Sequence, residues 1–243
     1  MDSLVEWCRE SDLYLILDMH DAPGGQTGDN IDDSYGYPWL FDSEVSQQLY
    51  CDIWRRIADR YKNEPVILGY ELFNEPIAPY FENMEELNGK LEDVYKKGVA
   101  AIREVDSNHI ILLGGAQWNG NFKPFKDSKF DDKIMYTCHR YGGEPTQAAI
   151  QTIINFRDSV NLPMYMGEIG HNTTNGRPLS ARRCARTTSA IPSGPTRRWT
   201  VLLSSASLRR RTGQTSCISP KHRVPRTRKS VRHVPRRPCP ARR

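Results

Sequence analysis

The stretch Val66-Ile67-Leu68-Gly69-Tyr70-Glu71-Leu72-Phe73-Asn74-Glu75-Pro76 decides how the chain is read. Val66–Phe73 is a nearly continuous apolar run, the pattern of a strand covered on both faces, and such strands belong to parallel sheets packed under helices. The run stops at Asn74-Glu75-Pro76. Proline cannot donate to a ladder, so an amide and an acid stand at the C-terminal end of a buried strand.

Working outward, the same pattern recurs. Leu13–Leu17 is an apolar run ending at Asp18-Met19-His20, and Ile110–Leu113 ends at Gly114-Gly115-Ala116-Gln117-Trp118. Ile134–Cys138 ends at His139-Arg140-Tyr141, and Pro163–Gly167 at Glu168-Ile169-Gly170. Helices fall between them. From Ser43 to Tyr61, Val45, Leu49, Ile53, Ile57 and Tyr61 recur every fourth residue and predict one apolar helix face. Leu87, Leu91, Val94, Tyr95, Ile102 and Val105 mark a second helix, and Ala149, Ile150, Ile153, Ile154 and Val160 a third. Met1–Cys8 reads as the end of a helix feeding the first strand. Polar and aromatic residues collect after strands, never before them, which is the arrangement of the active face of a (β/α)8 TIM barrel. Five strands are visible of the eight that such a barrel needs. A doubly wound sheet is the alternative, but no glycine-rich phosphate loop follows the first strand.

Charge divides the chain. All 29 Asp and Glu lie at or before Glu168. Residues 1–176 hold 15 Lys and Arg against those 29 acids, a formal −14, whereas residues 177–243 hold 19 and no acid. The expected organisation is therefore a catalytic domain over 1–176 and an Arg/Pro/Ser-rich tail over 177–243. One-signed charge with few large apolar groups cannot offset ordering entropy, so the tail is expected to be disordered or an out-of-frame reading. Within it, Trp199–Leu203 is the stretch that could form a strand. A nucleic-acid partner is not expected, since the tail lacks the aromatic or glycine spacing of a recognition module. No run approaches the ~20 apolar residues of a membrane span, and no targeting segment is visible. Cys8, Cys51 and Cys138 sit in periodic apolar contexts and read as core, and no cysteine has ligand spacing. Asp29, Asp32 and Asp33 read as a solvated loop, with cation binding as the alternative.

Glu75 and Glu168 carry the chemistry. Two carboxylates at the ends of separate buried strands can break a glycosidic bond, one protonating the leaving oxygen while the other attacks carbon or activates water. With Asp18-Met19-His20, Asn74-Glu75-Pro76, Trp118, His139-Arg140-Tyr141 and Gly167-Glu168 in that order, residues 1–176 resemble glycoside hydrolase family 5, the cellulase family, in its strands three to seven. The resemblance implies that Glu75 is the general acid and base and Glu168 the nucleophile of a retaining hydrolysis. It implies that Asn74 binds the sugar 2-hydroxyl, Tyr141 bonds Glu168, and His20 and His139 fix polar groups of the subsite. Trp118 would stack on a sugar, with Trp39 or Tyr37 adding a second face.

The substrate implied is a β-linked polysaccharide, β-1,4-glucan first. Ala22-Pro23-Gly24-Gly25-Gln26 is similar to the exo-β-1,3-glucanase branch, and a non-catalytic carbohydrate-binding remnant is the further alternative. The resemblance also implies no cofactor, no metal, a monomer and an extracellular location. The family's strand-two arginine and strand-eight aromatic have no counterpart, so the chain reads as cut at its N-terminus and frame-shifted after about residue 177. Elsewhere, plainer readings are expected: Glu71 solvated or ion-paired, His109 structural, His171 open between the two, and Trp7 and Trp54 in the core.

Overall fold

A computed structural model of the chain describes residues 1–32, 34–142 and 146–170, with the backbone of 206–209. All of these belong to the first of two units, residues 1–211 and 212–243. Asp33, His171 and the Trp199–Leu203 stretch lie outside the described residues.

Five strands, β1 (Leu13–Asp18), β2 (Ile67–Glu71), β3 (Ile110–Gly114), β4 (Ile134–Tyr141) and β5 (Met164–Gly170), lie side by side in chain order. Each is parallel to its neighbour. Every one falls on an apolar run read from the sequence, and β4 and β5 continue through His139-Arg140-Tyr141 and Glu168-Ile169-Gly170. The sheet is a parallel half-barrel with helices, matching part of a (β/α)8 barrel. A sixth strand, β6 (Ala206–Arg209), pairs antiparallel along β1, from Leu13 opposite Arg209 to Ile16 opposite Ala206.

The helices are α1 (Asp2–Glu10), α2 (Glu44–Tyr61), α3 (Met84–Arg103), the single turn α4 (Ala116–Asn119) and α5 (Gln151–Val160). α2 starts on the Ser43 side chain, which accepts the Ser46 N–H at 3.2 Å, a cap worth about 1 kcal/mol. α5 stops on Asn161, whose left-handed backbone (φ 51°) closes the last turn through its N–H to the Arg157 carbonyl.

The buried face of α2 differs from the expected one. Gln47, Tyr50, Trp54, Ala58 and Tyr61 are buried, while Val45 and Leu49 are exposed. Strict four-residue spacing advances about 40° per step around a helix of 3.6 residues per turn. Tyr61 therefore faces the core while Val45, four steps earlier, has rotated to the far side. Trp7 is likewise 63% exposed, since α1 turns Val5 and Cys8 inward instead. Trp54 is buried as expected and donates its indole N–H to the Leu72 carbonyl at 2.9 Å.

Strand alternation divides the apolar residues between two layers. Leu15, Leu17, Tyr70, Leu72, Ile111, Leu113, Tyr136 and Cys138 pack with the helices, where Phe73 stacks on Tyr95 at 4.2 Å. Ile16 and Leu112, with Tyr14, Leu68, Ile110, Met135 and Tyr165, form the separate inner cluster of the half-barrel. His109 precedes β3 and is buried against Asp106, with Tyr70 donating its hydroxyl to the same carboxylate at 2.9 Å. That is the structural role expected for it. Cys8 and Cys138 are buried and Cys51 is half-buried. Among the described residues no helix is long and apolar enough to cross a membrane.

Candidate active site

The strands β1, β2, β4 and β5 deliver their polar ends to one place. Thr137, His139 and Tyr141 alternate onto the inner face of β4, so His139 and Tyr141 stand one above the other. Glu168 should by alternation share the helix-facing side of Met166. It does not, because a bulge intervenes: Cys138 pairs with Met166 and His139 with Glu168, leaving Gly167 as the extra residue. A bulge re-aims the following side chain. Gly167 also permits the close strand approach, since a Cβ there would lie 2.6 Å from the Thr137 hydroxyl oxygen.

His139 is the hub. Its Nδ1 lies 2.8 Å from Glu75 Oε1 and 3.8 Å from Glu168 Oε2, and its Nε2 lies 3.8 Å from Glu71 Oε1. The ring is 2% exposed. Burial opposes its charge, but Glu71 and Glu75 outweigh burial and push its pKa up to about 9. A protonated ring donates from Nδ1 to Glu75. Tyr141 donates its hydroxyl to Glu168 Oε2, and burial together with that bond raises the phenol's pKa, so the donor proton stays in place.

On the other side, His20 Nδ1 pairs with Asp18 Oδ2 at 2.9 Å, and its Nε2 faces the Asn74 amide at 3.4 Å. Asn74 is 2% exposed. The bond to Asp18 raises the His20 pKa, while burial raises that of Asp18. Trp118 lies in α4 and Trp39 opens a short 3-10 turn, Trp39–Phe41, and both are partly exposed. Trp39 packs edge-on to Tyr37, centroids 4.8 Å apart. Six of the eight residues singled out from sequence thus meet around His139 and Asn74.

Asp18 and Glu71 were missed as parts of the site. Glu71 is buried rather than solvated, and burial raises its pKa. In the structure Asp18 shares a face with Tyr14 and Ile16, and Glu71 with Gly69, so both acids point into the half-barrel, a parity that the continuous apolar runs do not mark.

Backbone strain gathers here too. Glu75 and Ile77 after β2, and Gln117, Trp118 and Asn119 in α4, all have φ between 44° and 59°. The other positive-φ non-glycine residues described are Asp12 and Asn161. Such conformations cost about 1–3 kcal/mol each and persist where the surroundings impose them.

One donor atom each from Glu75, His139 and Glu168 lie within 4.8 Å of one another. His139 Nδ1 is bonded to Glu75 at 2.8 Å and the Tyr141 hydroxyl to Glu168, so the cluster is arranged as a hydrogen-bonded acid pair. It can give a proton from one carboxyl group while the other attacks, with a cation between them.

A profile of the cellulase family, glycosyl hydrolase family 5, matches residues 1–191. Endoglucanase C of Acetivibrio thermocellus is 35% identical over 143 residues, covering 58% of this chain and 38% of that protein. A glucan 1,3-beta-glucosidase of Candida oleophila is 34% identical over 123 residues, covering 48% and 27%. The chain thus spans well under half the length of these relatives. Among solved structures, a beta-glucanase of Saccharophagus degradans superposes with a TM-score of 0.58 at 22% identity, over 76% of this chain and 58% of that one. At that identity the likeness concerns the fold.

Proposed function

Because the chain belongs to the cellulase family, glycosyl hydrolase family 5, we propose that it hydrolyses a β-linked glucan with retention of anomeric configuration. Glu75 serves as general acid and then base, and Glu168 as nucleophile. The observation that carries this reading is the approach of the two carboxylates, an oxygen of each lying within 4.8 Å of the other. Retaining enzymes hold their carboxyl groups about 5–5.5 Å apart, whereas inverting ones leave about 6.5–9.5 Å for a water.

In the first step a Glu168 oxygen attacks the anomeric carbon. The glycosidic C–O bond breaks, and Glu75 gives its proton to the departing oxygen, leaving a glycosyl ester on Glu168. In the second step Glu75 takes a proton from water. The water oxygen attacks the anomeric carbon, the ester breaks, and Glu168 returns to carboxylate. The Tyr141 hydroxyl orients Glu168, and His139 orients Glu75 and offsets the paired negative charge. Asn74, held beside His20, binds the sugar 2-hydroxyl, and Trp118 and Trp39 offer ring faces to the substrate.

β-1,4-Glucan is the first substrate, supported by the likeness to endoglucanase C. β-1,3-Glucan is the second, supported by the likeness to a glucan 1,3-beta-glucosidase. The test is reducing-sugar release from carboxymethyl cellulose and from laminarin, by the chain and by Glu168→Ala. Release that the variant lacks supports the reading, and the preferred polymer names the linkage. Folded protein releasing nothing from either would overturn it and leave a carbohydrate-binding remnant.

A further inference from the structure

Two buried residues in the loop after β1 have no part in the chemistry above. Gln26 and Thr27 are both fully enclosed. The Gln26 amide is saturated: Nε2 donates to the His20 and Asn74 carbonyls, each at 2.8 Å, and Oε1 accepts the Ala22 N–H at 2.9 Å. The Thr27 hydroxyl donates to the carbonyl of Glu75 at 2.8 Å. Their main chains bind the same loop further on, the Gln26 carbonyl accepting from the Ile77 N–H and the Thr27 carbonyl from the Ala78 N–H, both at 2.9 Å. Behind them, Asp32 Oδ2 accepts the Thr27 and Gly28 N–H groups at 2.6 and 3.1 Å. That carboxylate, one of the acidic cluster noted in the sequence, is thereby occupied in bracing the loop.

These bonds bracket Glu75. The carbonyl before it is held by Gln26, its own carbonyl by Thr27, and the residues two and three further on by main-chain bonds. Glu75 and Ile77 carry φ of 44° and 57°, which side-chain-bearing residues adopt only under constraint. The peptide planes on either side of Glu75 set the direction of its Cα–Cβ bond, and so the aim of its carboxyl group toward His139.

We propose that Gln26 and Thr27 are positioning residues that hold Glu75 in its left-handed conformation and so aim its proton at the leaving oxygen. This rests on the role of Glu75 as general acid. Thr27→Val removes the donor at nearly constant volume, and Thr27→Ser restores it. A mis-aimed acid harms the departure of a sugar hydroxyl, which needs the proton, but not that of dinitrophenolate, which does not. In the full-length chain, Thr27→Val should lower kcat/KM about tenfold on cellotetraose and less than about twofold on 2,4-dinitrophenyl β-cellobioside, with Thr27→Ser close to wild type. Equal losses on both substrates, or none, would overturn the proposal.

Glu75→Gln supplies the reference. If it spares the dinitrophenyl substrate and Thr27→Val does not discriminate, the positioning role fails while the acid stands. If Glu75→Gln itself shows no discrimination, the acid assignment fails first. A second reading is independent of turnover: amide exchange at Ile77 and Ala78 should quicken about tenfold in Thr27→Val, and unchanged exchange would contradict the clamp.

Discussion

His139 shows how one residue's surroundings set a measurable property of the whole chain. Its pKa of about 9 stands above the ordinary 6.5 because Glu71 and Glu75 prevail over burial. A raised folded-state pKa means that the folded protein binds the proton more tightly. The stabilisation is complete below 6.5 and is lost as pH rises through about 9. Urea unfolding should therefore show stability falling by on the order of 1–3 kcal/mol across that window. Glu71→Gln, which removes an anion facing Nε2, should make the decline shallower; an unchanged slope would remove Glu71 from the account. Tyr141→Phe keeps the ring and deletes the donor to Glu168. Its kcat/KM on β-glucan should drop about 10²-fold, in line with loss of a charge-stabilising donor, and an undiminished value would show that Glu168 needs no such support. That Glu75, Glu168, His139 and Tyr141 come together was readable from sequence because each follows an apolar run. Glu71 was not, because in a continuous apolar strand nothing marks which side chains face inward.

Among elements, β5 depends most on local detail. Glu168 reaches the site through the bulge at Gly167, and the space there is already taken by Thr137 and His139. Gly167→Ala should cost about 1–3 kcal/mol in chemical denaturation, as overpacking does, and should depress activity out of proportion by moving Glu168. Normal activity in that variant would mean that the bulge does not set the carboxylate's aim. α2 teaches the complementary lesson. Its limits were legible from the spacing between Ser43 and Tyr61, yet its buried face lies one stripe away from the expected one. Aliphatic residues at every fourth position suggested Val45 and Leu49, and the large aromatic residues Tyr50 and Trp54 claimed the core instead. Trp54→Phe should be costly, about 1–3 kcal/mol, because it strands the buried carbonyl of Leu72. The left-handed turn at Gln117-Trp118-Asn119 left no trace in the sequence, since none of its residues is glycine.

Across the described residues, five apolar runs became five parallel strands in chain order, and the rule that chemistry follows strands points to the candidate site at their ends. What the sequence pattern could not supply was tertiary: bulge, strand parity and the clamp that Gln26 and Thr27 place around Glu75. The central claim is that Glu168 attacks the sugar while Glu75 manages the proton. Incubating the chain with 2,4-dinitrophenyl 2-deoxy-2-fluoro-β-cellobioside, which slows release of the glycosyl ester, and mapping the adduct by peptide mass spectrometry tests it most directly. The account predicts one added fluorocellobiosyl group on the peptide holding Glu168, absent from Glu168→Ala. A group attached elsewhere, or turnover of β-glucan with inverted configuration, would contradict it.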